Sequence, residues 1–282
     1  MMSDKKILPE PEEDGLITPE VGAWAETKYG IVELYGELFS TGMKYKWDTR
    51  VYIDLYSGAG QSRIRGTSRL VYGSPLLALQ VPDPFDKYIF CDEDGELMEA
   101  LKKRTKRLKP DIDAYFIKGK CDEHIDGICK LIPIASKEKT VLSLCFVDPH
   151  DLSISFSTIA SLAAKFTDFL VLLALHMDAN RNYQTYISEK STKVDRFLGD
   201  NKWRARWHVA QMTGITFPLF LADEFSLRME SLGYLPPPRM KMVRSNEKNL
   251  PLYHLAIFSR HPKAYEFWGD VLKYSTDQLD LF

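Results

Sequence analysis

Val51-Tyr52-Ile53-Asp54-Leu55-Tyr56 followed by Ser57-Gly58-Ala59-Gly60 is the stretch on which the reading of this chain turns. Six residues rich in β-branched and aromatic types predict a strand, and the Gly-x-Gly that closes it predicts a tight turn. Downstream, apolar runs recur with helical stretches between them. Strands are expected over Tyr88–Cys91, Ala114–Gly119, Thr140–Val147 and Phe169–Leu175. Thr140–Val147 is nearly continuous in apolar character, as a central strand buried on both faces must be. Gly73-Ser74-Pro75 predicts a helix start with Ser74 as N-cap and Pro75 in first position, and a charged helix is expected from Gly95 to Leu108. Two late strands, Lys241–Arg244 and Tyr253–Ser259, bring the number to seven. Strands alternating with helices imply an α/β domain with a mainly parallel sheet and right-handed crossovers.

Upstream, residues 1–18 read as a flexible leader, and a helix is expected from about Pro19, with Ile31, Leu34, Tyr35, Leu38 and Phe39 along one stripe. The main domain then spans 19–261, and a C-terminal helix and tail span 262–282. Residues 177–238 break the strand–helix rhythm and read as a helical lid insertion over one edge of the sheet. A chain of 282 residues with 45% hydrophobic and 27% charged content is ordinary for a globular protein, and its net charge of -2 gives no global signature of polyanion binding. Phe169–Leu175 is too short to cross a bilayer, and the polar acidic start lacks a signal core, so no membrane partner and a cytoplasmic location are expected. The four cysteines have no metal-ligand spacing, so no metal is expected, and Cys91 and Cys145 read as reduced core residues.

In an open α/β sheet the ligand site lies beyond the carboxyl ends of the strands. Asp54 stands ahead of the glycines, Asp92 with Glu93 ends the second strand, and Asp122 follows the third. Carboxylates there suit S-adenosylmethionine. Gly58 and Gly60 admit the ligand to bare backbone beside Tyr56. Asp54 faces the cationic methionine part, Asp92 takes the ribose hydroxyls, and Asp122 takes the adenine amino group. A dinucleotide fits less well, because Arg63 occupies the third glycine position and pyrophosphate is repelled by several acids. At the fourth strand tip, Asp148-Pro149-His150 is the expected catalytic edge, with His150 as general base or hydrogen-bond partner. Cys145 lies inside its strand, which argues against a covalent cysteine mechanism. Arg63, Arg65 and Arg69 lie in the long connection after the glycine turn, where phosphate contacts are expected. Lys202-Trp203-Arg204-Ala205-Arg206-Trp207-His208 reads either as a base-stacking strip or as buried tryptophans with wet arginines, and the second reading is favoured.

Trp24-Ala25-Glu26-Thr27-Lys28, DLYSGAG, Tyr72-Gly73-Ser74-Pro75-Leu76, VDPHDLSIS and Asn180-Arg181-Asn182 together resemble the three-Cys-motif partner (TcmP) family from about Val21 to Trp268. The resemblance implies a class I methyltransferase (Rossmann-like) fold using S-adenosylmethionine, and a neighbouring three-Cys-motif protein as partner. It puts Asn180 and Arg181 near the substrate edge. Members of that family commonly carry an aromatic and glycine after Asp-Pro, where this chain has His150 and Asp151. The terminal Gln278-Leu279-Asp280-Leu281-Phe282 resembles the short motif that docks on the bacterial sliding clamp, with Gln278 and Leu279 as anchor and Leu281-Phe282 in an apolar pocket. Together these readings predict a methyltransferase acting on nucleic acid in a bacterial DNA-processing or defence setting. The rivals are a catalytically inactive scaffold for the three-Cys-motif protein and a methyltransferase of small molecules or proteins.

Overall fold

Residues along the central strands alternate between two buried apolar layers, as a two-residue strand period demands. The computed structural model describes residues 10–245 and 248–277. Its elements begin with β1 (Glu20–Val21), α1 (Trp24–Met43), β2 (Thr49–Asp54), β3 (Gln61–Ile64), β4 (Leu70–Tyr72) and α2 (Ser74–Ala78). They continue with β5 (Lys87–Asp92), α3 (Gly95–Leu108), β6 (Ala114–Lys118), α4 (Cys121–Leu131), β7 (Val141–Val147), α5 (Phe156–Ala163) and β8 (Thr167–Leu173). A π-helical turn (Leu175–Ala179) leads into α6 (Tyr183–Ile187), α7 (Lys193–Leu198), α8 (Trp203–Met212) and α9 (Phe217–Ser231). The chain closes with β9 (Lys241–Arg244), β10 (Pro251–Phe258) and α10 (Pro262–Asp277).

The seven-stranded sheet runs β6-β5-β2-β7-β8-β10-β9, and only β10 is antiparallel to its neighbours. Strand order therefore reverses between β2 and β7, and that switch point opens a crevice at their carboxyl ends. Val51, Ile53, Cys145, Val147, Phe169 and Val171 enter one layer with α4, α5 and α7–α9. Tyr52, Leu144, Phe146, Leu170 and Leu172 enter the other with α1, α2, α3 and α10. Cys91 and Cys145 are free thiols packed inside these layers. No helix among the described residues is long and apolar enough to cross a membrane.

Three expectations change in the main domain, while the favoured reading of the tryptophan strip as buried holds. The helix expected from Pro19 starts at Trp24, because Glu20–Val21 instead pair in parallel with Arg63–Ile64. The arginine-bearing connection after the glycines is not a loop but the β3–β4 hairpin of a small three-stranded sheet with β1. The helical insertion covers a face of the sheet rather than an edge, because Trp203, Phe217 and Phe225 join the same apolar layer as Ile53 and Val171. Its tryptophans are structural: Trp203 donates to Asp195 at 2.7 Å, Trp207 donates to Tyr183 at 3.1 Å, and Arg206 pairs with Asp200 and Glu224.

The leader departs furthest from expectation. Arg104 of α3, 4% exposed, donates to both carboxylate oxygens of Asp14 at 2.8 Å, to the Ile17 carbonyl at 3.0 Å and to Thr18 Oγ1 at 2.9 Å. It also donates to the Ala59 carbonyl at 2.8 Å. One buried guanidinium thus ties Asp14–Thr18 to the glycine turn, and the Glu12 carbonyl is held by Gln61 at 2.9 Å. The Arg104 hydrogen bonds hold the Asp14 carboxyl below its usual range even against the opposing effect of burial.

Candidate functional site

The register of the parallel strands assembles the site. Asp54 of β2 stands level with Phe90 of β5 and Phe146 of β7. Asp92 and Asp148 lie two residues beyond those partners, so all three carboxylates share one parity and belong to the same side of the sheet. They lie in each other's field: Asp148 and Asp92 both push the Asp54 carboxyl upward. Burial does so first, against hydrogen bonds from the Ser74 side chain and the Tyr56 N–H, and the net result is about 7. The expected cap is thereby corrected. Gly73 is the N-cap of α2, and Ser74, the first helical residue, spends its hydroxyl on Asp54.

The two glycines of the turn differ. Gly60 (φ +76°) is packed tight, since a Cβ there would fall 2.7 Å from Leu101 and 2.8 Å from Leu76. Gly58 (φ +58°) is also left-handed, but a Cβ there would meet nothing within 4 Å. Its N–H donates to Asp92 Oδ2 at 2.8 Å, and Asp92 Oδ1 accepts from Asp94 at 2.9 Å. Each Asp92 oxygen keeps a second lone pair for a hydroxyl donor. Burial raises the Asp92 carboxyl, with those backbone donors opposing. Glu93 is exposed beside it. Bare backbone open to solvent beside a hydrogen-bonded carboxylate fits the adenosyl and ribose parts of S-adenosylmethionine.

Other expected residues sit differently. Tyr56 turns toward α4, where the Cys121 thiol donates to its hydroxyl at 3.7 Å. Asp122 is engaged within the protein, which removes it from the expected adenine contact. Its Oδ1 accepts from the Ser155 N–H at 3.2 Å and from Thr158 at 2.5 Å, and its Oδ2 pairs with Arg196 at 2.9 Å. It therefore ties α4 to the start of α5 and to α7. The hairpin arginines each meet an acid: Arg63 pairs with Glu13, Arg65 with Glu20 at 3.9 Å, and Arg69 with Glu26 at 2.7 Å. Gln278, Leu279, Leu281 and Phe282 lie outside the described residues.

At the β7 tip, Pro149 is buried, His150 is exposed and Asp148 is held by Lys28 of α1 at 2.5 Å. Burial pulls the Lys28 ammonium down, but Asp148 together with Tyr29 and Tyr253 outweighs it and the net shift is upward. Lys28 thus stays charged beside Asp148. Sequence reasoning quoted Lys28 within a motif without giving it a role; its signal was the Trp24–Lys28 spacing, one helical turn that puts both on one face of α1. Asn180 and Arg181 follow the π-helical turn and line a cavity of about 420 Å³ with Trp24, His176, Lys248 and Leu250. A second cavity, about 710 Å³, lies between leader residues Gly15–Ile17 and the start of α3, flanking rather than containing Gly58 and Asp92.

No protein-family model matches the chain, and no curated protein matches it. Among solved structures, a Legionella pneumophila protein of family DUF519 superposes with a TM-score of 0.52 at 12% identity, covering 88% of this chain and 91% of that one. Magnesium protoporphyrin IX methyltransferase (ChlM) from Synechocystis PCC 6803, with bound SAH, gives 0.41 at 9% identity over 88% and 90% of the two chains. M. jannaschii TYW2 in complex with AdoMet gives 0.35 at 9% identity over 80% and 77%. The strand order β6-β5-β2-β7-β8-β10-β9 and the superposition at a TM-score of 0.52 show an α/β, Rossmann-like fold.

Proposed function

We propose that this chain is an S-adenosylmethionine-dependent methyltransferase acting on nucleic acid. The observation that carries the reading is the convergence of Asp54, Asp92 and Asp148 around the open backbone of Gly58. S-adenosylmethionine supplies a methyl group on a cationic sulfonium. Asp92 accepts the ribose hydroxyls, Gly58 lets the ligand approach backbone, and Asp54 offers negative charge to the cationic part. Asp148, pinned by Lys28, orients the hydrogen-bond donor of the acceptor, and exposed His150 takes the acceptor's proton. The setting consistent with this chemistry is bacterial DNA processing or defence in the cytoplasm. The sliding clamp is then a partner through Gln278, Leu279, Leu281 and Phe282, and Arg63 and Arg65 are secondary phosphate contacts once released from Glu13 and Glu20. Calorimetry with S-adenosylmethionine on wild type and Asp92→Asn tests the cofactor half, and equal binding by both rejects the site. Transfer of radiolabelled methyl onto DNA, RNA or protein tests the acceptor half.

A second reading keeps the fold as a catalytically inactive scaffold for a three-Cys-motif protein. The Lys28–Asp148 ion pair favours it, because the carboxylate expected at the acceptor is already neutralised. That reading predicts partner binding with no methyl transfer, and that Lys28→Met leaves the absence of turnover unchanged.

A further inference from the structure

The cavity of about 420 Å³ stands on the same rim as the glycine turn, beyond the carboxyl ends of β8 and β9 and the start of β10. Its size is that of a small-ligand site. Among the described residues its lining holds Arg181, Lys248, His176 and Asn180 but no acid. Behind His176, the His254 ring lies 5.5 Å away, with its Nδ1 buried and without a hydrogen-bond partner among the described residues. Burial, then His176 and the Arg244 guanidinium, pulls His254 down to about 4. Beyond the burial effect, the Arg244 guanidinium adds a further cation near the cavity. Trp24 gives the wall an aromatic surface, its ring held against Gly22, where a Cβ would fall 1.9 Å from the indole. Trp24 is one turn from Lys28, which binds Asp148, so the cavity adjoins the acceptor tip.

We propose that this cavity is a phosphate subsite, with Arg181, Lys248 and His176 on the phosphate and Trp24 against the attached base. Arg181 supplies a planar fork and Lys248 a point charge, while neutral His176 donates one N–H. That the phosphate belongs to the methyl acceptor rests on the methyltransferase reading; that the cavity binds a nucleotide phosphate does not.

Calorimetry on the full chain with thymidine 5′-monophosphate, thymidine and inorganic phosphate tests the assignment, with S-adenosylmethionine titrated separately. The monophosphate is expected to bind more tightly than thymidine or inorganic phosphate. Arg181→Gln and Lys248→Gln each weaken it about tenfold, the loss of one charge-assisted contact. Trp24→Ala weakens the monophosphate but not inorganic phosphate. Unchanged monophosphate binding in the Arg181→Gln/Lys248→Gln double variant overturns the subsite, and S-adenosylmethionine binding in that variant shows whether the methyltransferase reading survives it. Equal affinity for the monophosphate and inorganic phosphate overturns the role of Trp24. If the variants lose the monophosphate while wild type fails to bind S-adenosylmethionine, the subsite stands and the methyltransferase reading falls.

Discussion

Two regions of one rim carry opposite charge. At the tips of β5, β2 and β7 three carboxylates face one crevice, and burial, with Asp148 and Asp92 adding to it, pushes Asp54 to about 7. Beyond β8 and β9, Arg181, Lys248 and His176 face a cavity without an acid among its described lining, and His254 is pushed down to about 4. Both shifts begin with burial, and each is driven further by neighbours of like charge. A net charge of -2 conceals this separation. The comparison teaches that a near-neutral chain can carry patches of opposite charge along a single sheet edge, suited to cationic and anionic ligands in turn.

The largest expected effect breaks the acidic half alone. Asp92→Ala removes both the Gly58 cap and the hydroxyl acceptor, and S-adenosylmethionine affinity measured by calorimetry falls about a thousandfold, from two lost charge-assisted hydrogen bonds. Monophosphate binding in the cationic cavity stays as in wild type.

Arg104→Ala comes next. It strands buried carbonyls and releases Asp14 from its partner, which costs about 3 kcal/mol. Denaturant melts should show that loss, and limited proteolysis should cut near Asp14–Thr18. The acidic half loses its wall and the cationic half does not.

Gly60→Ala is expected to cost about 2 kcal/mol, from contact with Leu76 and Leu101 and a left-handed backbone. Thermal unfolding registers it.

The smallest effect is on pH. Asp54 holds its proton up to about 7, whereas the unfolded carboxyl loses it near its usual value. The native state therefore binds the extra proton between those limits, and this group's contribution to stability falls as pH rises through them. Asp168, at the far end of β8 and also raised to about 7 by burial, adds the same slope. Cofactor affinity isolates Asp54. A cationic ligand prefers the ionised form, so affinity rises about tenfold from pH 6 to 8, levelling above 7. Asp54→Asn should flatten that profile.

What the sequence made legible follows from range. Thr140–Val147 and Phe169–Leu175 announced buried parallel strands because burial on both faces demands continuous apolar residues, and both strands are there within two residues. Asp94 caps α3 by chemistry local to Asp94–Leu97, whereas the Gly58–Asp92 hydrogen bond joins two strand ends far apart in sequence. The β3–β4 hairpin was hidden because Gln61–Ile64 has no strand pattern of its own; its pairing depends on Glu20–Val21, some forty residues earlier. Asp122 looked like a ligand acid because it follows a strand, yet its partners, Thr158 and Arg196, come from α5 and α7. Arg104 looked like one more exposed cation in a charged helix, and only the folded leader gives it a role. The cationic cavity joins residues 24, 176, 181 and 248, a convergence that no spacing encodes.

The most direct test is a crystal structure with S-adenosylhomocysteine, the transferred methyl removed. The account predicts ribose hydroxyls on Asp92 and the ligand lying against Gly58, with the cavity of Arg181 and Lys248 left free. Density for that ligand anywhere else, or none at the Gly58 turn at saturating concentration, contradicts it.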